Sequence, residues 1–210
     1  MSQGTAPIIE YLARSRDVFD AALGDPRLVE TVAAIVDRVA AALAAGHKLL
    51  LAGNGGSAAD AQHLAAELVV RLRGDRPGLP ALALTTNTSV LTAASNDYGF
   101  EQVFARQVES LVLPGDVLVA LSTSGTSSNI ISGVEAGRRR EAFLVGLTGE
   151  AGGALAGKVD LLLNVPSRDP QRIQEAHITI GHIVCALIEQ IRFGEAGSRA
   201  SGKAATNPGY

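Results

Sequence analysis

The run Val117-Leu118-Val119-Ala120-Leu121, followed at once by Ser122-Thr123-Ser124-Gly125-Thr126-Ser127-Ser128, decides how this chain is read. Five apolar residues, two of them β-branched, suit a parallel strand buried on both faces. Asn129-Ile130-Ile131 then reads as the start of a helix. A hydroxyl-rich turn between a strand end and a helix start gathers backbone N–H groups, side-chain donors and the positive end of a helix dipole. That combination suits a phosphate. The turn holds no Lys or Arg, so its donors are neutral and directional. Taken alone, the same residues also read as a Ser/Thr linker that caps a helix.

A second turn of the same kind tips the balance. Lys48-Leu49-Leu50-Leu51-Ala52 is closed by Gly53-Asn54-Gly55-Gly56-Ser57, and helix-forming residues run on from Ala58 towards Leu72. Glycines here let the backbone approach a ligand, and Ser57 is a candidate helix cap. Gly53, Gly55 and Ala58 fit the dinucleotide pattern G-x-G-x-x-A, which also needs an acidic residue at the end of the next strand. That strand, Ala81-Leu82-Ala83-Leu84, ends in Thr85-Thr86-Asn87 without a carboxylate, and no Gly-Lys-Ser/Thr of a Walker loop occurs. A phosphorylated metabolite is therefore favoured over a nicotinamide dinucleotide.

Outward from these turns, strand-like runs recur at 48–52, 81–84, 117–121, 143–147 and 160–165, with helical patterns between them. Such alternation predicts an α/β fold, a parallel sheet sandwiched by helices. Residues 1–45 read as N-terminal helices broken near Gly24-Asp25-Pro26. Their stripes carry Ile8, Leu12, Val18, Leu23, Leu28, Val32, Ile35, Val36, Val39 and Leu43, and must pack on the domain or on another subunit. A last helix over 171–193 carries Ile173, Ala176, Ile180, Val184, Leu187 and Ile191 at helical spacing. After Gly194 the Gly-, Ala- and Ser-rich composition predicts a disordered tail over 194–210.

The 210 residues suffice for one α/β domain with a full core. A net charge of −3 without a basic block argues against nucleic-acid binding. Cys185 lies in an apolar helix pattern and reads as a buried, reduced thiol. No apolar run is long enough for a membrane span and no basic-then-apolar start is seen, so the expectation is a soluble, cytoplasmic protein.

The titratable candidates lie on two helices. His63 and Glu67 are four apart, hence on one face, and otherwise read as a solvated pair. The last helix supplies Gln174, Glu175, His177 and His182. His177 and His182, together with His63 and Glu67, offer enough N and O donors for a zinc-type site or an acid–base pair. Spacing does not show that the two helices meet. It favours Glu175 over Gln174 as partner of His182, because seven residues bring a helix back to nearly the same angle.

Five separated segments in order then carry a resemblance. They are Ala52-Gly53-Asn54-Gly55-Gly56-Ser57, Asp60-Ala61-Gln62-His63-Leu64-Ala65-Ala66-Glu67-Leu68, Asn96-Asp97-Tyr98-Gly99, Leu121-Ser122-Thr123-Ser124-Gly125 and Arg172-Ile173-Gln174-Glu175-Ala176-His177. The chain resembles the sugar isomerase (SIS) family, from the first helices to about Arg192, and within it the branch acting on sedoheptulose 7-phosphate. Thr126 stands where an Asn is commoner, and it keeps a hydroxyl. The resemblance implies a flavodoxin-like three-layer αβα sandwich on a five-stranded parallel sheet over 46–193. It also implies a homotetramer with active sites at subunit interfaces, which would let the last helix reach the one bearing Glu67.

From the resemblance also come the expected roles. Zinc, one per subunit, would sit on His63, Glu67, Gln174 and His182, against the spacing argument for Glu175. Sugar-phosphate contacts would come from Asn54, Gly55, Gly56, Ser57, Glu67, Asn96, Asp97, Ser122, Thr123, Ser124, Ser127 and Gln174. Catalysis is assigned to Glu67 as base at carbon and His182 as acid–base partner at oxygen, through an enediol. The family also resembles, in a non-catalytic branch, a regulator that binds the replication initiator DnaA. That branch looks to lack the carboxylate and the imidazole, and this chain has both. An isomerase of another phosphosugar is the remaining alternative.

Overall fold

A computed structural model of the chain describes residues 4–194, and the expected tail beyond Gly194 lies outside them. Helices α1 (Thr5–Leu23) and α2 (Pro26–Ala44) precede β1 (Leu49–Gly53), α3 (Gly56–Val69), β2 (Ala81–Ala83), α4 (Thr88–Tyr98) and α5 (Val103–Leu111). Then come β3 (Val117–Leu121), α6 (Ser128–Arg139), β4 (Phe143–Thr148), β5 (Leu161–Asn164) and α7 (Pro170–Phe193). Short 3-10 turns at Phe100–Gln102 and Gly153–Leu155 lead into α5 and β5.

The five strands form one parallel sheet in the order β2-β1-β3-β4-β5. Every residue of β1 and β3 is buried, as strands with both faces covered require. Their side chains alternate between two cores. Leu49, Leu51, Val117, Val119 and Leu121 pack under α2, α3 and α7. Leu50, Ala52, Leu118 and Ala120 pack on the opposite face with α5 and α6. The expected three-layer sandwich is what the chain forms.

The helix starts follow local chemistry. Asp25 and Asp169 accept the amides of Arg27 and Gln171, with proline at the first helical position of α2 and α7. Ser57 is not a cap, contrary to expectation: α3 begins behind Gly55, whose φ is +54°, and Ser57 lies buried in the first turn.

The α2 stripe is buried from Leu28 to Leu43, but α1 differs: Ile8, Leu12 and Leu23 are exposed on this chain taken alone. On α7 the stripe holds through Ile180, then the inward face passes to Cys185, Ile188 and Glu189 while Leu187 and Ile191 turn outward. The cysteine is free and buried as read, and burial pushes its thiol up to about 12.

Candidate active site

Strand order reverses between β1 and β3, so the two turns singled out in the sequence are neighbours across the crevice at their carboxyl ends. Asn54 and Asn129 join them with two reciprocal amide hydrogen bonds of 2.8 and 2.9 Å. Asn129 is buried at the first turn of α6. Its importance escaped the sequence reading, because a helical Asn next to seven hydroxyl and glycine residues looks like more of the same turn.

The serine loop is shaped by its own side chains. Ser122 Oγ accepts from the Gly125 amide at 3.2 Å and meets Ser127 Oγ at 3.3 Å. Ser124 Oγ accepts from the amide and the hydroxyl of Thr126, at 3.2 and 3.0 Å. The departure to threonine at 126 thus leaves a hydroxyl that takes part in the loop. From behind, the Leu155 amide binds Gly125 O and the Gly149 amide binds Thr123 O, each at 3.0 Å. Gly56 faces the Gln174 side chain, and a Cβ there would lie 2.5 Å from Oε1.

Helices α3 and α7 run side by side in the same direction. Gln174 meets Gly56, Gly181 meets Leu64, and Glu189 reaches the residues after α3. Gly181 permits this approach, since a Cβ would fall 2.6 Å from Leu64. The helices therefore meet within one chain. No second subunit is needed to bring His182 to Glu67, which corrects that inference from the resemblance.

At the meeting point His63 Nε2 lies 2.8 Å from His182 Nε2 and 3.2 Å from Glu67 Oε1. At hydrogen-bond distance, one of the two imidazoles must donate to the other. The rings pack edge to face at 84°. All three ligand atoms fall within 4.8 Å of one another. Two nitrogens and one carboxylate oxygen at this separation suit a zinc ion that keeps a position open to substrate. Gln174 stands apart, about 12 Å along α7 from His182 at 1.5 Å per residue. Glu175 is also elsewhere, paired to Arg172 at 2.6 Å. Asn96 and Asp97, hydrogen-bonded to each other, are exposed at the far end of α4.

Asp60 was missed as a site residue, although it precedes His63 by one turn and Glu67 by two. Its Oδ2 is buried and accepts no hydrogen bond among the described residues. Burial holds its carboxyl above the ordinary range, and the imidazoles of His63 and His182 oppose that.

His177, read in the sequence beside His182, serves the scaffold. It is fully buried and its Nε2–H donates to Thr148 O at 3.2 Å, next to the Gly149 amide that holds the serine loop. Burial brings its pKa down to about 4 from the ordinary 6.5. The unfolded chain binds a proton on this residue below 6.5, and the folded chain does not until about 4. Stability is therefore expected to fall with pH through that window, by about 1.4 kcal/mol per unit at most. Urea unfolding at pH 7 and pH 5 should show the loss, and His177→Gln, which keeps an N–H donor, should reduce it.

The SIS domain family model matches residues 10–149. The chain belongs to the SIS domain family. The phosphoheptose isomerase of Burkholderia pseudomallei (strain 1710b) is 52% identical over 188 residues, covering 90% of this chain and 95% of that protein. The solved phosphoheptose isomerase GmhA of Neisseria gonorrhoeae is 42% identical with a TM-score of 0.83, over 89% of this chain and 98% of that one. That of Francisella tularensis is 36% identical with a TM-score of 0.85, over 90% and 99%. The matches cover about nine-tenths of this chain and nearly all of each isomerase.

Proposed function

We propose that this SIS protein is an aldose–ketose isomerase that converts D-sedoheptulose 7-phosphate to D-glycero-D-manno-heptose 7-phosphate, an early step towards nucleotide-activated heptose. The observation that carries the chemistry is the convergence of Glu67, His63 and His182 from two helices. The heptose is supported by the similarity to phosphoheptose isomerases at 52% and 42% identity. A carboxylate and an imidazole held together are the pair of groups that enediol chemistry requires.

Isomerisation moves a proton from C1 to C2 and one from the C1 hydroxyl to the C2 oxygen. Glu67 takes a proton from C1 and, once its carboxyl proton has exchanged with solvent, delivers one to C2. His182 gives a proton to the C2 oxygen as the enediol forms and accepts the one released from the C1 oxygen. His63, whose Nε2 lies 2.8 Å from His182 Nε2 and 3.2 Å from Glu67 Oε1, keeps the carboxylate and the second imidazole in register. We infer that zinc, one per subunit, would be held by His63, Glu67 and His182, with Gln174 as a further candidate. A carboxylate or imidazole engaged by the metal is a poorer proton acceptor, so the proton-transfer roles belong to Glu67 and His182 released from it. When bound it would polarise the sugar carbonyl.

The phosphate is assigned to the serine loop and the glycine turn, through Asn54, Gly55, Gly56, Ser57, Ser122, Thr123, Ser124 and Ser127. Gln174, beside Gly56, borders that end, and Asn96 and Asp97 are retained as sugar contacts. Along α3, His63 is about 10 Å and Glu67 about 16 Å beyond Gly56. An extended heptose phosphate spans roughly 10 Å at ~1.2 Å per bond. That mismatch, with the exposed Ile8, Leu12, Ile183, Leu187 and Ile191, supports a homotetramer whose chains complete one another's sites. No helix among the described residues is long and apolar enough to cross a membrane, which accords with a cytoplasmic enzyme.

Incubating the purified protein with sedoheptulose 7-phosphate tests the reading: an aldoheptose 7-phosphate is the expected product, and a silent assay with and without zinc would refute it. Ser124→Ala should raise KM roughly five- to tenfold with little change in kcat, since a phosphate contact is made equally in ground and transition states. An effect confined to kcat would remove the phosphate from this loop.

A further inference from the structure

Two turns of α7 beyond His182, Glu189 points inward with its side chain 5% exposed and meets Arg76, whose side chain is 1% exposed, at 2.8 Å. Neither residue drew attention in the sequence, where Arg76 looks like part of a polar loop and Glu189 like a solvated helix position. The pair grips the last turn of α3 and the loop that follows it. The Arg76 guanidinium donates through Nη2 to Glu67 O and through Nη1 to Leu68 O, both at 2.8 Å. Another Nη1 bond goes to Pro77 O at 3.1 Å. The carbonyls in the last turn of a helix lack partners within it, so this side chain ends α3 at the residue that carries the candidate base.

The carboxylate of Glu189 is used as fully. Its Oε1 accepts the amides of Gly74 and Arg73 at 2.8 and 3.2 Å, and its Oε2 accepts Leu72 N at 3.2 Å besides Arg76 Nε. Burial alone would push this carboxyl up. The Gly74 amide, the Arg76 side chain and the Leu72 amide together bring it below the ordinary range, so it is ionised. A buried ion pair is a weak contributor to net stability, because desolvation offsets its attraction. What this one does provide is geometry: a planar fork from the loop after α3, anchored to Glu189 on α7, grips the last backbone carbonyls of α3.

We propose that Arg76, anchored by Glu189, is a positioning residue for Glu67, and that the brace sets the spacing of Glu67 and His63 on α3 from His182 on α7. The inference builds on the isomerase reading for its kinetic consequence, but its consequence for metal binding stands without it. Lysine at position 76 keeps the charge and loses the fork that spans both carbonyls. Glutamine at position 189 keeps the shape and loses the charge.

The test uses Arg76→Lys and Glu189→Gln in the full-length protein, each compared with wild type by thermal melting, by steady-state kinetics on sedoheptulose 7-phosphate and by zinc titration against a chelating dye. A displacement of about 1 Å at a reacting group costs up to roughly 10²-fold in rate. Expected is a roughly 10- to 100-fold fall in kcat with KM within about twofold, and zinc affinity weakened by at least about tenfold. Wild-type kcat and wild-type zinc affinity in a variant that melts as a folded protein, at whatever temperature, would overturn the proposal. If one variant does not fold, the other decides by the same criteria. Should the wild type itself leave the heptulose phosphate unchanged, the isomerase reading fails alone and the zinc titration still decides the brace.

Discussion

Replacing Glu67 by Gln is expected to lower kcat on sedoheptulose 7-phosphate by about 10²- to 10⁴-fold, the usual worth of one positioned proton-transfer group. The substitution is close to isosteric, and the side chain is partly solvent-exposed, so the fold should tolerate it. The amide still offers an oxygen to His63, 3.2 Å from the present carboxylate. What is lost is the capacity to accept the carbon-bound proton. Since the phosphate is assigned to another part of the site, KM should change far less than kcat. Steady-state kinetics beside a melting curve would check both halves, and near-normal turnover would remove Glu67 from the proposed role.

Gly125→Ala is expected to have the largest effect of any single methyl group in the site. At φ +65° the backbone is in the left-handed region, and the added Cβ would lie 2.1 Å from Gly152 O and 2.7 Å from its carbon. Both obstacles are backbone, so relief means moving the serine loop away from the turn behind it. The conformational penalty of about 1 kcal/mol adds to this displacement, for a total on the order of 2–4 kcal/mol. The melting temperature should drop by on the order of 10 °C. Because the loop cannot keep its shape, kcat/KM should fall by at least about 10²-fold. Gly157→Ala is the control: φ there is +78° but nothing lies within 4 Å of the new Cβ, so only the smaller conformational penalty applies.

The sheet was legible because its central strands are buried on both faces. Leu49 to Ala52, Val117 to Leu121 and Phe143 to Leu147 are unbroken apolar runs, and each strand lies within a residue or so of where the run predicts it. The turns that close β1 and β3 were legible for a related reason: runs of glycine and hydroxyl residues end an apolar strand abruptly. The role of Ser57 was not, since a serine after glycines looks the same whether it caps a helix or lies inside its first turn. The α1 stripe misled in a different way. Periodicity identifies an apolar face but not what covers it, and Ile8 and Leu12 remain exposed on this chain taken alone.

Within the site, local spacing reached His63 with Glu67 and stopped there. That α7 lies along α3 is decided by Gly181, whose missing side chain admits Leu64, and no periodicity contains that information. The choice between Gln174 and Glu175 shows the same limit. Spacing favoured Glu175, but Arg172 binds it at 2.6 Å. Long-range pairs such as Asn54 with Asn129 and Arg76 with Glu189 are legible only once the chain has folded, because each partner alone resembles an ordinary polar residue.

Proton transfer by a protein carboxylate distinguishes this account from every binding-only alternative, and running the reaction in deuterium oxide reads it directly. With sedoheptulose 7-phosphate and the zinc-loaded protein, NMR should find the aldoheptose 7-phosphate carrying solvent deuterium at C2, with the label absent when Glu67→Gln replaces the wild type. Conversion that leaves C2 free of deuterium over many turnovers, or labelling that persists undiminished in Glu67→Gln, would contradict it.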